Sequence, residues 1–200
     1  MKVLLIILKW SRLKNWMALP LFILPIQEAF ASFCLQYSVL YHTWEDDVDN
    51  FSYSRMNNAF FIGASFDRNN QLYIGPSYHM ISKAHQAGSG STESDVSVTA
   101  FGASALYFID KEFRWKVQLT YNVALSGSRT VDGASQDIEG SGYEAGLGFQ
   151  LPLSRSVWLG ATMNYHAITI SEYKVDTTAT DVSQSYTAIV PMINLNFFFR

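Results

Sequence analysis

The sequence predicts an all-β fold, an eight-stranded antiparallel up-and-down transmembrane β-barrel that follows an N-terminal signal peptide. Three observations indicate this fold. Apolar and polar residues alternate with the two-residue period of a strand, short connections alternate with long ones, and aromatic residues make up 15% of a chain of which only 16% is charged. That composition suits a protein that presents apolar surface to lipid. No run of eighteen apolar residues occurs, which argues against a bundle of membrane helices.

The N-terminus has the three parts of a secretory signal peptide. Residues 16–26 form an apolar core, and Ala29-Phe30-Ala31 is a small-residue cleavage site. The basic residues before the apolar core are Lys2, Lys9, Arg12 and Lys14. We therefore predict cleavage before Ser32, which divides the chain into a signal peptide (1–31) and a barrel domain (32–200). The alternative is an uncleaved N-terminal anchor.

Loss of residues 1–31 removes four basic residues and one acidic residue, which changes the net charge from −3 to −6. An acidic exported protein is a poor partner for nucleic acid, because phosphate repels it. Cys34 is the single cysteine of the chain, so no internal disulfide can form. The fold must therefore be held by packing and hydrogen bonds.

The period-two alternation is clearest between residues 113 and 125. The apolar members of this segment are Phe113, Trp115, Val117, Leu119, Tyr121, Val123 and Leu125, and mostly polar residues such as Lys116 and Gln118 lie between them. Similar patterns predict eight strands, near 33–44, 58–67, 71–83, 96–109, 113–125, 142–153, 157–166 and 186–199.

The connections between these strands alternate in length. Tight turns are predicted at 68–70, 110–112 and 154–156, and long polar loops at 45–57, 84–95, 127–141 and 171–185. An outer-membrane barrel has this arrangement, with short turns in the periplasm and long loops outside. Such a sheet must close, because an open edge in lipid leaves backbone groups without partners.

Alternation alone does not say which face of each strand is inside. A soluble β-sandwich or a lipocalin-like barrel would place the apolar face inward. The polar face here carries many small residues and few charges, as a narrow lumen requires, and aromatic residues cluster at strand ends. We therefore predict that Phe113, Trp115, Val117 and Leu119 point outward to lipid and that Lys116 and Gln118 point inward.

The C-terminal strand carries a resemblance to known proteins. Ile193, Leu195, Phe197 and Phe199 are apolar at alternate positions, as in the C-terminal assembly signal of bacterial outer-membrane proteins, although Arg200 follows the last aromatic residue. With its eight predicted strands, the chain resembles the small OmpA/OmpX-type barrels and the "outer membrane protein β-barrel" families. The resemblance implies a monomer in the outer membrane of a Gram-negative bacterium. Its implied partners are membrane lipid, lipopolysaccharide and, during biogenesis, the barrel-assembly machinery.

The alternation also predicts which polar residues face the lumen. Those near the periplasmic end are Asp67, Arg114, Lys116, Gln118 and Gln150, and those nearer the outer end are His42, His79, Asn122, Glu144, Asn164 and His166. Arg114 and Lys116 opposite Asp67 would form a charge-paired layer. Counting from the short turns puts His79, Asn122, Glu144 and His166 at similar heights. Buried polar groups need partners, so we expect these side chains to form a polar plug.

Three functions are compatible with such a barrel. The first is a structural or surface-interaction role through the extracellular loops, without catalysis, cofactor or metal. The second is a lipid A or phospholipid acyl-modifying enzyme, for which His79, Glu144 and Ser82 or Ser77 are the candidate catalytic residues. The third is a small pore, which eight strands make the least favoured, because wide channels need more strands.

Overall fold

The computed structural model describes residues 32–46, 51–65, 67, 69–86, 94–131, 133–175 and 178–199. The predicted signal peptide lies outside these residues. Eight antiparallel strands form a closed barrel in which each strand pairs with the next and β8 pairs with β1. The strands are β1 (Phe33–Asp46), β2 (Phe51–Ser65), β3 (Leu72–Gln86), β4 (Ser94–Phe108), β5 (Trp115–Val131), β6 (Ala134–Pro152), β7 (Val157–Val175) and β8 (Thr178–Phe199). No helix among the described residues is long and apolar enough to span a membrane.

The apolar face of the strands points outward. On β5, Trp115 and Leu119 are 49% and 56% exposed, whereas Lys116 and Gln118 are 0% and 9% exposed. This arrangement confirms the predicted orientation of these four residues, and it is the reverse of a soluble barrel. A surface this rich in aliphatic and aromatic side chains is stable only against hydrocarbon.

Two rings of aromatic side chains border the apolar surface. The ring at the end of the short turns contains Phe33, Tyr107, Trp115, Phe149 and Phe199, and the other ring contains Tyr41, Phe101, Tyr121, Tyr143 and Tyr165. Beyond the second ring the outward side chains become polar, as at Ser126 and Glu139. The two rings therefore have the position of the interface girdles of an outer-membrane barrel.

The strands continue far beyond the second ring, which corrects the predicted long loops. The loops expected at 127–141 and 171–185 are mostly strand, so that only residues 132–133 separate β5 from β6 and only residues 176–177 separate β7 from β8. The part of β6 between Ala134 and Ser141, about 23 Å long, lies beyond the second ring. The expectation was wrong because strands outside lipid carry polar residues on their outer face, and lose the alternation used to find them.

A bulge in β5 displaces one of the predicted faces. The β5–β6 register shifts between Asn122 and Leu125, so both residues point inward and Leu125 is only 3% exposed. The prediction that Leu125 faces lipid is therefore wrong. An extra residue in one strand moves every later side chain to the other face, and the sequence pattern alone does not reveal it.

The predicted position of Phe113 is also wrong. Phe113 precedes β5, has a φ of 59°, and turns its ring under the barrel, where it is 7% exposed. The cause is the β4–β5 turn, in which the Asp110 carboxylate accepts hydrogen bonds from the backbone N–H groups of Arg114 (3.1 Å) and Trp115 (2.7 Å).

This turn gives a first testable prediction. Desolvation acts to raise the pKa of the Asp110 carboxyl, but the backbone hydrogen bonds outweigh it and hold the pKa below its usual value of 3.8. A lowered pKa stabilises the folded state above that value, and the stabilisation is lost as the pH falls through the folded-state pKa. We expect Asp110→Ala to lower the unfolding free energy at pH 7 by about 1 kcal/mol, a difference that shrinks below pH 3.8.

Denaturant unfolding of the refolded protein at several pH values measures this difference. Glu112→Ala is the matched control, because the Glu112 side chain lies in the same turn and its ion-pair partner among the described residues is the exposed Arg114. A loss for Asp110→Ala that stays constant down to pH 2 would contradict the role assigned to the carboxylate.

Candidate functional site

An aromatic plug closes the end of the lumen near the three short turns. Its members are Cys34, Phe61, Tyr73, Leu106, Phe108, Phe113 and Phe198, with Trp158 packed against them. Phe198 is the central ring, with centroids 5.8 Å from Tyr73, 5.5 Å from Phe108 and 5.7 Å from Phe113. These tilted and edge-on contacts are the geometry that aromatic pairs prefer. These apolar and aromatic side chains fill the lumen at this end of the barrel.

A layer of amides and one lysine lies above the plug. The Lys116 ammonium donates a 2.7 Å hydrogen bond to Gln36 Oε1, and Gln36 Nε2 donates to Gln118 Oε1 at 2.7 Å. Asn196 Nδ2 donates to Gln150 Oε1 at 2.8 Å. Lys116 is fully buried and forms no salt bridge with a described residue. In this layer Lys116 Nζ thus meets a neutral acceptor, the Gln36 amide oxygen.

Small residues on β6 make room for this layer. A Cβ at Gly148 would lie 2.5 Å from Thr162 Oγ1 and 3.0 Å from Lys116 Cε. The inward face of β6 therefore needs glycine here so that the lysine chain can cross the lumen.

The next layer is a cluster of polar residues around Glu144, called here the Glu144 cluster (His79, Asn122, Glu144 and His166). Asn122 Nδ2 donates to Glu144 Oε1 at 2.9 Å, and His79 Nδ1 lies 3.0 Å from the same oxygen. His166 Nε2 lies 3.6 Å from Glu144 Oε2, beyond hydrogen-bond distance. All four side chains are at least 90% buried. The structure thus brings together the four residues for which the sequence predicts a common height.

The predicted charge-paired layer of Asp67, Arg114 and Lys116 does not form. Asp67 lies in the β2–β3 turn, where its carboxylate accepts hydrogen bonds from the backbone N–H groups of Asn69 (3.0 Å) and Leu72 (2.7 Å). Arg114 is exposed and pairs with Glu112 at 2.9 Å. The prediction is wrong because both residues belong to turns outside the ladder, so the alternation does not apply to them.

Three other predicted positions can be compared with the structure. Asn164 is 8% exposed and faces the lumen beside Gly146. His42 lies on the same face of β1 as the buried Gln36 and Ser38, but it is exposed at the outer rim, with its ring 5.8 Å from that of Tyr53. Ser82 is exposed on the outward face of β3, opposite to the face of His79, and cannot act with it. Successive strand residues point to opposite faces, and 79 and 82 differ by an odd number.

Above the Glu144 cluster the lumen opens into a cavity of about 350 Å³, called here the outer chamber. Its lining residues are Tyr53, Arg55, Ile81, Lys83, Val96, Val98, Leu125, Arg129, Ile138, His166, Ile168, Ile170, Tyr186, Thr187 and Ala188. His166 links the chamber to the Glu144 cluster. The lining is apolar except for three basic residues and a few polar side chains, and it contains no carboxylate among the described residues.

Sequence reasoning missed the basic residues of the outer chamber. Arg55 and Arg129 fall in segments predicted as loops, and Lys83 falls at a predicted strand end. A usable signal was present for Lys83, because His79, Ile81 and Lys83 keep the inward spacing of β3. For Arg129 the bulge after Asn122 removes that signal.

Comparison with known protein families gives one match. The family described as the outer membrane protein beta-barrel domain matches residues 19–187 of the sequence. The chain belongs to this family. Membership and the lipid-facing surface together place the protein in the outer membrane, with the outer chamber at the end away from the three short turns. No curated protein matches the sequence.

Proposed function

We propose that this outer-membrane barrel neither conducts nor catalyses, and that it acts through its extracellular rim by contact with molecules at the cell surface. The filled lumen is the observation that carries the proposal. The aromatic plug, the Lys116 layer and the Glu144 cluster follow one another along the barrel axis. The interior of an eight-stranded barrel is just wide enough for side chains to fill it, so these layers favour a closed barrel over a pore.

The part of the barrel that can contact other molecules is then the extension of the strands beyond the second ring of aromatic side chains. In the described residues of this extension the strands remain paired, and the outer chamber opens between them. A paired, polar surface of this kind suits recognition of a partner. The proposal has three further parts. A signal peptide cleaved before Ser32 directs export, the barrel-assembly machinery inserts the protein, and the protein contacts lipopolysaccharide as a monomer.

Planar-bilayer recording tests whether the barrel is closed. We expect the purified protein to give no current steps above the lipid baseline, because the aromatic plug, the Lys116 layer and the Glu144 cluster occupy the lumen. A sixteen-stranded porin reconstituted in the same way is the positive control. Reproducible steps from the wild-type protein, absent from a mock preparation, would show a pore and overturn the proposal.

A lipid acyl hydrolase is the second candidate, favoured by one observation. Ser77 and His79 point inward on the same face of β3, and both Ser77 Oγ and His79 Nε2 are buried without a hydrogen-bond partner among the described residues. His79 Nδ1 faces Glu144 at 3.0 Å. A serine, a histidine and an orienting carboxylate are the groups that an acyl hydrolase uses. Ser77 would replace Ser82 in this role.

Mass spectrometry of outer-membrane lipids separates the two candidates. The proposed non-catalytic role predicts identical lipid A and phospholipid profiles in a deletion strain and in the strain complemented with the wild-type gene. A change that Ser77→Ala also produces, and that Ser82→Ala does not, would instead establish the hydrolase.

A further inference from the structure

We infer that the outer chamber binds a free fatty acid, with the carboxylate on its basic residues and the hydrocarbon chain against its apolar wall. The inference deepens the proposed function, because it assumes that the chamber opens to the outside and names the kind of molecule recognised there. It rests on the charge pattern, the apolar lining and the size of the chamber.

The three basic residues lie in one row across four strands, in which Arg55 and Lys83 are direct neighbours and Val96 separates Lys83 from Arg129. In the sheet register Arg55 faces Lys83, Lys83 faces Val96, and Val96 faces Arg129. Directly opposite side chains have Cβ atoms about 4.5–5.5 Å apart, and like charges at such a pair are destabilising. The fold therefore holds cations next to each other on one wall of a cavity, at a cost that a bound anion would offset.

No described carboxylate neutralises this row. Salt bridges among the described residues leave out Arg55, Lys83 and Arg129. The contacts they do make are with neutral groups: Arg55 Nε donates to Asn57 Oδ1 at 3.1 Å, and Lys83 Nζ lies 5.9 Å from the centre of the Tyr53 ring. Arg129 hydrogen-bonds to the Tyr173 hydroxyl. Among the described residues the remaining donors of the row have no carboxylate partner, so an anion that enters from outside can accept from them.

Most of the remaining lining residues are aliphatic. Val98, Leu125, Ile138 and Ile170 are each no more than 6% exposed and pack together in one cluster. A cation row beside buried aliphatic side chains matches a molecule with an anionic head and an apolar tail. A small polar anion would leave the aliphatic side of the cavity without a partner.

The size of the chamber limits the ligand to one chain. Its volume of about 350 Å³ is near the lower end of the roughly 300–1,000 Å³ of ligand pockets. A phospholipid with two chains, or a lipid with more, exceeds it. A single-chain carboxylate fits both the volume and the charge.

Calorimetric titration of the protein in lipid nanodiscs with dodecanoate tests the inference, with empty nanodiscs as the blank. We expect saturable binding that weakens about tenfold or more in the Arg55→Gln/Lys83→Gln double variant. Arg114→Gln is the matched control, because it removes an exposed cation at the opposite end of the barrel. In the series octanoate, decanoate and dodecanoate, affinity should rise about fourfold per methylene group until the chamber is full.

Each alternative outcome overturns a stated part of the inference. Equal affinity of the double variant and Arg114→Gln would exclude the basic row, and a flat chain-length series would exclude the apolar wall. Equal binding of dodecyltrimethylammonium would exclude charge recognition, and tighter binding of dodecyl phosphate would replace the carboxylate head by a phosphate. Heat-dependent gel migration checks that each variant is folded. Conductance without fatty acid would refute the closed barrel and leave this titration unaffected.

Discussion

Replacement of Phe198 by alanine is expected to lower the free energy of unfolding by about 3–5 kcal/mol. Phe198 is 2% exposed, and its ring contacts Tyr73, Phe108, Phe113 and Trp158. The substitution loses the free energy gained by transferring the ring out of water. It also leaves a cavity, because the surrounding rings are held in place by their own strands and turns. Denaturant unfolding of the refolded protein in lipid vesicles measures the loss.

Phe199→Ala is the matched control for the plug. Phe199 is adjacent in sequence but points to lipid and is 59% exposed. The substitution loses the free energy of transferring the ring from water to lipid, about 1.5–3 kcal/mol. It leaves no cavity, because lipid chains fill the space. We therefore expect the smaller effect for Phe199→Ala in vitro, where its predicted part in assembly does not matter. Equal losses for both variants would mean that the plug is not a packed core.

The strands within the membrane could be predicted because lipid imposes a strict rule on them. Alternation placed Trp115 and Leu119 outside and Lys116 and Gln118 inside, and the same alternation at Ile193, Leu195, Phe197 and Phe199 implies the inward positions of Asn194, Asn196 and Phe198. In a closed sheet surrounded by hydrocarbon every outward residue must be apolar. The pattern therefore reports the fold directly wherever that constraint acts.

The predictions failed where the constraint ends. Outside the membrane both faces of a strand can be polar, so the extensions of β5 to β8 resembled loops. The conformation of a turn is set by hydrogen bonds between side chains and the backbone. The carboxylates of Asp67 and Asp110 accept such bonds from backbone N–H groups and do not point into the lumen. A bulge reverses the faces without a sequence signature, as at Leu125. Arg55 and Arg129 of the outer chamber lie in segments that the sequence predicts as loops, so the basic row needed the structure to be recognised.

The Glu144 cluster gives the second large expected effect. Glu144→Ala should lower the unfolding free energy by about 3 kcal/mol or more, because it leaves donors of Asn122 and His79 buried without an acceptor and adds a cavity. Glu139→Ala on the same strand is the matched control: Glu139 is exposed and pairs with Lys174 at the surface, so its loss should stay below about 1 kcal/mol. Equal, small losses in denaturant unfolding would contradict a structural role for the cluster.

Glu144→Gln then separates structure from chemistry at this position. Glutamine keeps the size of the side chain and an oxygen that can accept from Asn122 and His79, so we expect it to recover most of the stability lost in Glu144→Ala. It does not carry the negative charge that a hydrolase would use to orient and stabilise a protonated histidine. A stable Glu144→Gln protein with an unchanged lipid profile therefore supports a packing role, whereas a stable protein that has lost a lipid modification present in the wild type supports the Ser77 hydrolase. The cluster is thus tested as packing and as a catalytic site by one pair of substitutions.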